Sequence, residues 1–108
     1  MTVANLAQCD GMHALACPAP EREICGVYIG DLLSWVMGRA EADNAWITIM
    51  SNINIVAVAA LTDAACIVLA EGVTLDASVL ETAEAKEINV LQSEKPIYET
   101  ALLLHELC

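Results

Sequence analysis

Apolar segments recur along this chain at a step of about twenty residues, each followed by a polar break and a helix-sized run. The longest neutral stretch, Ile47-Thr-Ile-Met-Ser-Asn-Ile-Asn-Ile-Val-Ala-Val-Ala-Ala-Leu61, sits between Asp43 and Asp63 and is wide enough, on paper, to cross a bilayer. Its middle holds Ser51, Asn52 and Asn54, so the unbroken apolar run covers only Ile55 to Leu61. A spanning helix needs about 20 mostly apolar residues. Each half reads better alone. Trp46-Ile-Thr-Ile-Met50 is a short β-branched run, as a buried strand should be. Ser51-Asn-Ile-Asn54 supplies side-chain oxygens able to cap a helix start. Ile55 to Leu61 then predicts a helix apolar nearly all round, pressed between a sheet and another surface.

The unit recurs. Cys66-Ile-Val-Leu-Ala70 predicts a second buried strand, and Glu71-Gly72 a turn. Asp76 stands where it can cap the next helix, with Val79, Leu80 and Ala83 inward and Glu81, Glu84 and Lys86 facing water. A third strand, Ile88 to Gln92, leads through Ser93-Glu-Lys95 to Pro96, which suits the first turn of a helix. That helix runs to about Leu107, with Ile97, Ala101 and Leu104 on one face. Strands starting at residues 46, 66 and 88, alternating with helices, predict right-handed crossovers and an α/β fold. The expected architecture is three-layer α/β/α with a mostly parallel sheet.

The N-terminal third is less regular. Thr2 can cap a short helix over Val3 to Gln8, His13 to Cys17 suggests a strand, and Pro18-Ala-Pro20 a turn. Ile24 to Ile29 reads as another strand, after which Gly30-Asp31 opens a helix through Leu32, Leu33, Trp35 and Val36 that stops near Gly38. No composition shift suggests a second domain, so residues 1–108 are expected to form one. The opening has no basic and apolar leader, so no signal peptide is expected.

Fifteen acids against four bases leave a formal charge of −11, which repels phosphate backbones and anionic headgroups alike. Neither nucleic acid nor a membrane is an expected partner. Hydrophobic residues make up 57% of the chain and charged ones 18%, an apolar excess that a domain of this size cannot bury alone. A self-complementary interface would take it up, so a homodimer is expected. Five cysteines, at Cys9, Cys17, Cys25, Cys66 and Cys108, include no C-x-x-C pair. They suggest a reduced, cytoplasmic protein with small buried thiols. Cys9, Cys17 and Cys25 with His13 are spaced too widely for a zinc knuckle, so no metal is expected.

These elements together resemble the DRTGG domain, related in fold to the N-terminal, non-catalytic domain of HPr kinase/phosphorylase. The matching features are the "TVANLA" opening, "REICGVYIGDLLSWV", "AWITI" with its helix-starting turn, "ACIVLAEG" and "VLETAEAKEINVLQSEKPIYETA". Relatives often carry Asp-Arg after the central strand, where this chain has Asn52 and Ile53. Their Thr-Gly-Gly turn is reduced here to Ala70-Glu71-Gly72, and the proline usual before the next strand is Asn89. The resemblance implies a regulatory and oligomerising module, found in relatives beside nucleotide-sensing CBS pairs, phosphate acetyltransferase domains or a kinase domain. This chain would then be a freestanding copy.

Motifs for chemistry are scarce. There is no Gly-x-x-x-x-Gly-Lys-Ser/Thr, no Gly-x-Gly-x-x-Gly, no His-Glu-x-x-His and no Gly-x-Ser-x-Gly. The two histidines, His13 and His105, lie at opposite ends of the chain. His105 reads as a partly exposed helix residue. His13 could pair with the Cys17 thiol only if strand alternation brought them to one face. No catalytic residue and no cofactor are expected. In open parallel sheets ligands gather beyond the carboxyl ends of strands. The candidate ligand-binding residues are therefore Ser51, Asn52 and Asn54, then Glu71 and Gly72, then Ser93, Glu94 and Lys95. Helix-start amides and Lys95 would favour an anion there, whereas Glu71 and Glu94 would oppose it. The function expected is a non-catalytic module that dimerises and scaffolds or regulates a partner protein. The alternative is a sensor of a nucleotide or phosphorylated metabolite, a small anionic ligand, at the strand ends.

Overall fold

The Thr2 hydroxyl accepts the Asn5 amide at 3.1 Å while the Asn5 side chain accepts the Thr2 amide at 2.9 Å. This reciprocal capping box opens α1 (Val3–Ala7). The computed structural model describes residues 1–107. It continues through β1 (Met12–Ala16), β2 (Val27–Ile29), α2 (Leu33–Arg39), β3 (Ala45–Thr48), α3 (Asn54–Thr62), β4 (Cys66–Leu69), α4 (Ala77–Ala85), β5 (Val90–Ser93) and α5 (Ile97–Leu107). The neutral stretch thus divides into β3, a polar turn and α3. Among the described residues no helix is long and apolar enough to cross a membrane.

The five strands form one sheet in the order β1-β5-β4-β3-β2. Strands β2 to β5 run parallel, and β1 lies antiparallel against β5 with an irregularity between Ala14 and Ala16. The mostly parallel, layered α/β architecture expected from the pattern is the one observed. Every residue of β3 and β4 is buried, because helices cover both faces of the central strands. On one face Trp46, Ile67, Leu69 and Val90 pack with Val36 of α2, Ile55 and Ala59 of α3, and Val79 and Ala83 of α4. On the other, Ala45, Ile47, Val68 and Leu91 pack with Val3 and Leu6 of α1 and Leu104 of α5.

Two helix ends explain where the expected boundaries shift. At the end of α3, Asp63 is left-handed at φ 57, its amide donates to Ala60 O, and the Ala64 amide donates to Ala59 O. At the end of α4, Glu87 takes φ 59, its amide donates to Glu84 O, and the Ile88 amide donates to Ala83 O. Both are Schellman-type stops built without glycine. The second uses up Ile88, so the third predicted strand begins at Val90 rather than Ile88. Likewise the predicted strand Ile24 to Ile29 pairs only over Val27–Ile29. Gly26 breaks it at φ 81, where an added Cβ would lie 2.9 Å from Asn44 Nδ2. Asp76 occupies the cap position of α4 without a side-chain capping bond. At α3 it is Asn52 whose Oδ1 accepts the Asn54 amide, at 2.9 Å.

Arg22 ties the N-terminal segment to the loops before β3 and after α3. Its Nη2 donates to Asp43 Oδ1 at 3.0 Å, Asp63 Oδ1 at 2.9 Å and Asp63 O at 2.6 Å. Partial burial works against its charge, but the bonds to Asp43 and Asp63 outweigh that and hold the guanidinium more firmly protonated than usual.

Candidate functional site

The strand-end residues divide into two sets. Glu71, Gly72, Ser93, Glu94 and Lys95 come together, while Ser51 and Asn52 lie exposed on the neighbouring β3–α3 connection and Asn54 lies exposed at the first position of α3. Glu71 and Gly72 are both left-handed, at φ 61 and φ 69. This turns their amides back onto the end of β5, where Glu71 N donates to Lys95 O at 2.9 Å and Gly72 N to Ser93 O at 2.8 Å. Gln92 Nε2 closes the same turn by donating to the carbonyls of Gly72 and Val73.

Ser93 is fully buried and serves the start of α5. Thr100 Oγ1 donates to Lys95 O, Ser93 Oγ lies 2.7 Å from Thr100 Oγ1, and the Lys95 amide donates to Ser93 Oγ. With the Thr100 proton committed to Lys95 O, the Ser93 hydroxyl proton goes to Thr100. The Glu94 amide donates to Gly11 O at 2.9 Å, and its carboxylate meets His13 Nε2 at 2.5 Å. The Lys95 stem runs over Gly11, whose added Cβ would stand 3.4 Å from Lys95 Cε. The amides of Glu71, Gly72, Glu94 and Lys95 are thus engaged inside the fold, and the Lys95 ammonium adds a positive charge to this edge.

His13 and Cys17 find different partners. His13 turns to Glu94, whereas Cys17 is half-buried near Glu84 and Glu21. Burial pushes the Cys17 thiol up, and the two carboxylates add to the effect. The folded protein therefore holds this proton more tightly than the unfolded chain, and stability declines as pH rises through the thiol range. At neutral pH, Cys17 is expected to react with iodoacetamide several-fold more slowly in the folded protein than in urea, followed by peptide mass spectrometry. Equal rates would remove the argument. Among the described residues no three metal-ligating side chains come together.

The feature that pattern reading missed lies at the opposite sheet edge from β1. An open groove of about 460 Å³ runs between β2 and α5, lined by Val27, Ile29, Tyr98, Ala101, Leu102 and His105. Its apolar walls stand in water: Val27 is 37% exposed, Ile29 48%, Tyr98 69% and Leu102 41%. The turn that carries β2 into α2 is held from the sheet, not by a helix cap. Asp31 Oδ1 accepts Thr48 Oγ1 at 2.7 Å and the Ile49 amide at 3.0 Å, while Trp46 Nε1 donates to Gly30 O at 2.9 Å. The apolar side chains of Ile29, Tyr98, Ala101 and Leu102 were the available sign in the sequence, but nothing local distinguishes them from core.

Residues 21–107, from the Arg22 clamp through the last helix, match the DRTGG domain. The chain belongs to the DRTGG domain family. The matched span includes β2 and α5, hence both walls of the groove, while α1 and β1 precede it. A solved structure of the same fold is that of the CBS and DRTGG domains of the regulatory region of Clostridium perfringens pyrophosphatase, complexed with the activator diadenosine tetraphosphate. It superposes with a TM-score of 0.74 at 13% sequence identity, over 94% of this chain and 45% of that one. At that identity the likeness is one of fold, and this DRTGG domain spans less than half of its neighbour's length. No curated protein matches the chain.

Proposed function

We propose that this DRTGG domain is a non-catalytic, cytoplasmic regulatory module that dimerises and scaffolds or regulates a partner protein. The observation that carries the reading is the open apolar groove between β2 and α5. Exposed aliphatic and aromatic side chains contiguous over a groove mark an interaction surface rather than scattered surface residues. The separate surroundings of His13, which meets Glu94, and Cys17, which lies near Glu84 and Glu21, agree with this. So does the regulatory setting of the DRTGG domain in the pyrophosphatase neighbour.

Sedimentation velocity at micromolar concentration tests the proposal directly. The expected mass is twice 11.5 kDa, and a monomer throughout the micromolar range would overturn it.

A second reading has one observation in its favour: the pyrophosphatase neighbour was solved with a nucleotide activator. On that reading Ser51, Asn52, Asn54, Glu71, Gly72, Ser93, Glu94 and Lys95 would edge a site for a small anion, with Lys95 as its cation. Thermal unfolding with diadenosine tetraphosphate separates the two readings. A rise in Tm that Lys95→Ala abolishes favours the sensor, and an unchanged Tm favours the scaffold.

A further inference from the structure

The helical layer carrying α1 and α5 is one strand short of covering its sheet. Parallel pairing sets Val27 opposite Ala45 and Ile29 opposite Ile47, so all four side chains project to the same face. Ala45 and Ile47 are fully buried in the cluster that includes Leu104 of α5. Val27 and Ile29, one strand further out, are 37% and 48% exposed. The other face has three helices, whereas this one has only α5 and the five-residue α1. Among the described residues, the outermost strand therefore has an apolar face and no helix over it. Helix α5 has the converse surplus: it buries Thr100 and Leu104 but leaves Tyr98, Leu102 and Leu107 in water.

We infer that a second copy of this chain fills the gap reciprocally, the α5 of each copy lying over the β2 of the other. This rests on the dimer reading above and specifies its interface. A two-fold axis satisfies both surpluses at once, since an isologous contact sets surface i on surface j and j on i. At about 1.5 Å per residue α5 is roughly 16 Å long, ample to span a three-residue strand of about 10 Å. Charge is compatible with the same surface. Two chains of −11 repel over most of their area, and Val27, Ile29, Tyr98, Ala101 and Leu102 carry no charge. Size also favours reciprocity. A stable interface takes about 800 Å² per partner, roughly a seventh of the 5355 Å² surface. Filling one groove from one side uses only one of the two exposed faces on each copy, whereas exchange uses both.

A charge-exchange experiment tests this arrangement. Ile29→Lys and Leu102→Glu are made separately, their folds checked by circular dichroism, and masses measured by native mass spectrometry and sedimentation equilibrium. The wild type is expected to dimerise, and each variant alone to dimerise at least ten-fold more weakly. An equimolar mixture is expected to recover a dimer holding one copy of each. In that mixed dimer one groove pairs the introduced lysine with the introduced glutamate, while the other keeps Ile29 against Leu102. Variants as dimeric as the wild type would place the interface elsewhere and overturn this inference while leaving the dimer reading intact. Weakened variants that the mixture fails to restore would overturn the exchange in favour of another use of the edge, such as β2 against β2. A monomeric wild type would overturn the dimer reading itself, and the interface with it.

Discussion

Trp46→Ala is expected to lower stability by about 3–5 kcal/mol and to move the urea midpoint down by about 2 M or more. Trp46 is fully buried in β3, the strand between the edge strand and β4. Truncation removes the largest side chain of the face packed against α2 and α3 and leaves a cavity that flanking helices can only partly close. It also strips the indole donor from Gly30 O, which it reaches at 2.9 Å. Trp46→Phe separates the two effects. It retains an aromatic ring and loses the bond, so a smaller loss of about 1 kcal/mol is expected. Because Gly30 follows β2 directly, that lesser change is also expected to loosen the strand that forms one wall of the groove. A urea midpoint unmoved by Trp46→Ala would contradict the role assigned to this side chain.

Asn89→Leu is the second large effect, expected near 3–5 kcal/mol despite a similar side-chain volume. Asn89 is 1% exposed. Its Nδ2 donates to Ala19 O at 2.8 Å and Ala65 O at 3.0 Å, and its Oδ1 accepts the Ala19 amide at 2.9 Å. This one carboxamide fastens the turn between Pro18 and Pro20 to the sheet. Leucine leaves three backbone groups without their partner, and burial makes each omission costly. Asn89→Asp distinguishes polar satisfaction from packing. It keeps the acceptor for Ala19 N–H but sets a carboxylate against two carbonyls, so its carboxyl favours the protonated form in the folded protein. Stability is then present at low pH and lost as pH rises through the raised folded pKa. A urea midpoint independent of pH in Asn89→Asp would refute the hydrogen-bond account.

The strand-end candidates show how far local pattern reaches. Glu71-Gly72 and Ser93-Glu94-Lys95 are legible as turns because their residue types suit turns. That the Glu71 amide reaches the Lys95 carbonyl is a contact between distant parts of the chain, and no local window of sequence contains it. The same holds for Asp31, which by position suits a helix start but by contact serves Thr48 and Ile49. Helix stops at Asp63 and Glu87 escape prediction for a related reason: left-handed backbone is expected of glycine or asparagine, and here acidic residues adopt it.

Alternation of apolar strands and helices, at steps set by the lengths of a strand and its return helix, was enough to specify a layered, mostly parallel α/β sheet. Periodicity is a property of each element alone, so it can be read along the chain. How many helices cover each face is not. Val27 and Ile29 have the composition of core strand residues but lie one strand further out than Ala45 and Ile47, where α5 leaves them partly exposed. Burial is decided by what packs above a side chain, and that depends on the assembled layers rather than on the residue's own neighbours in sequence.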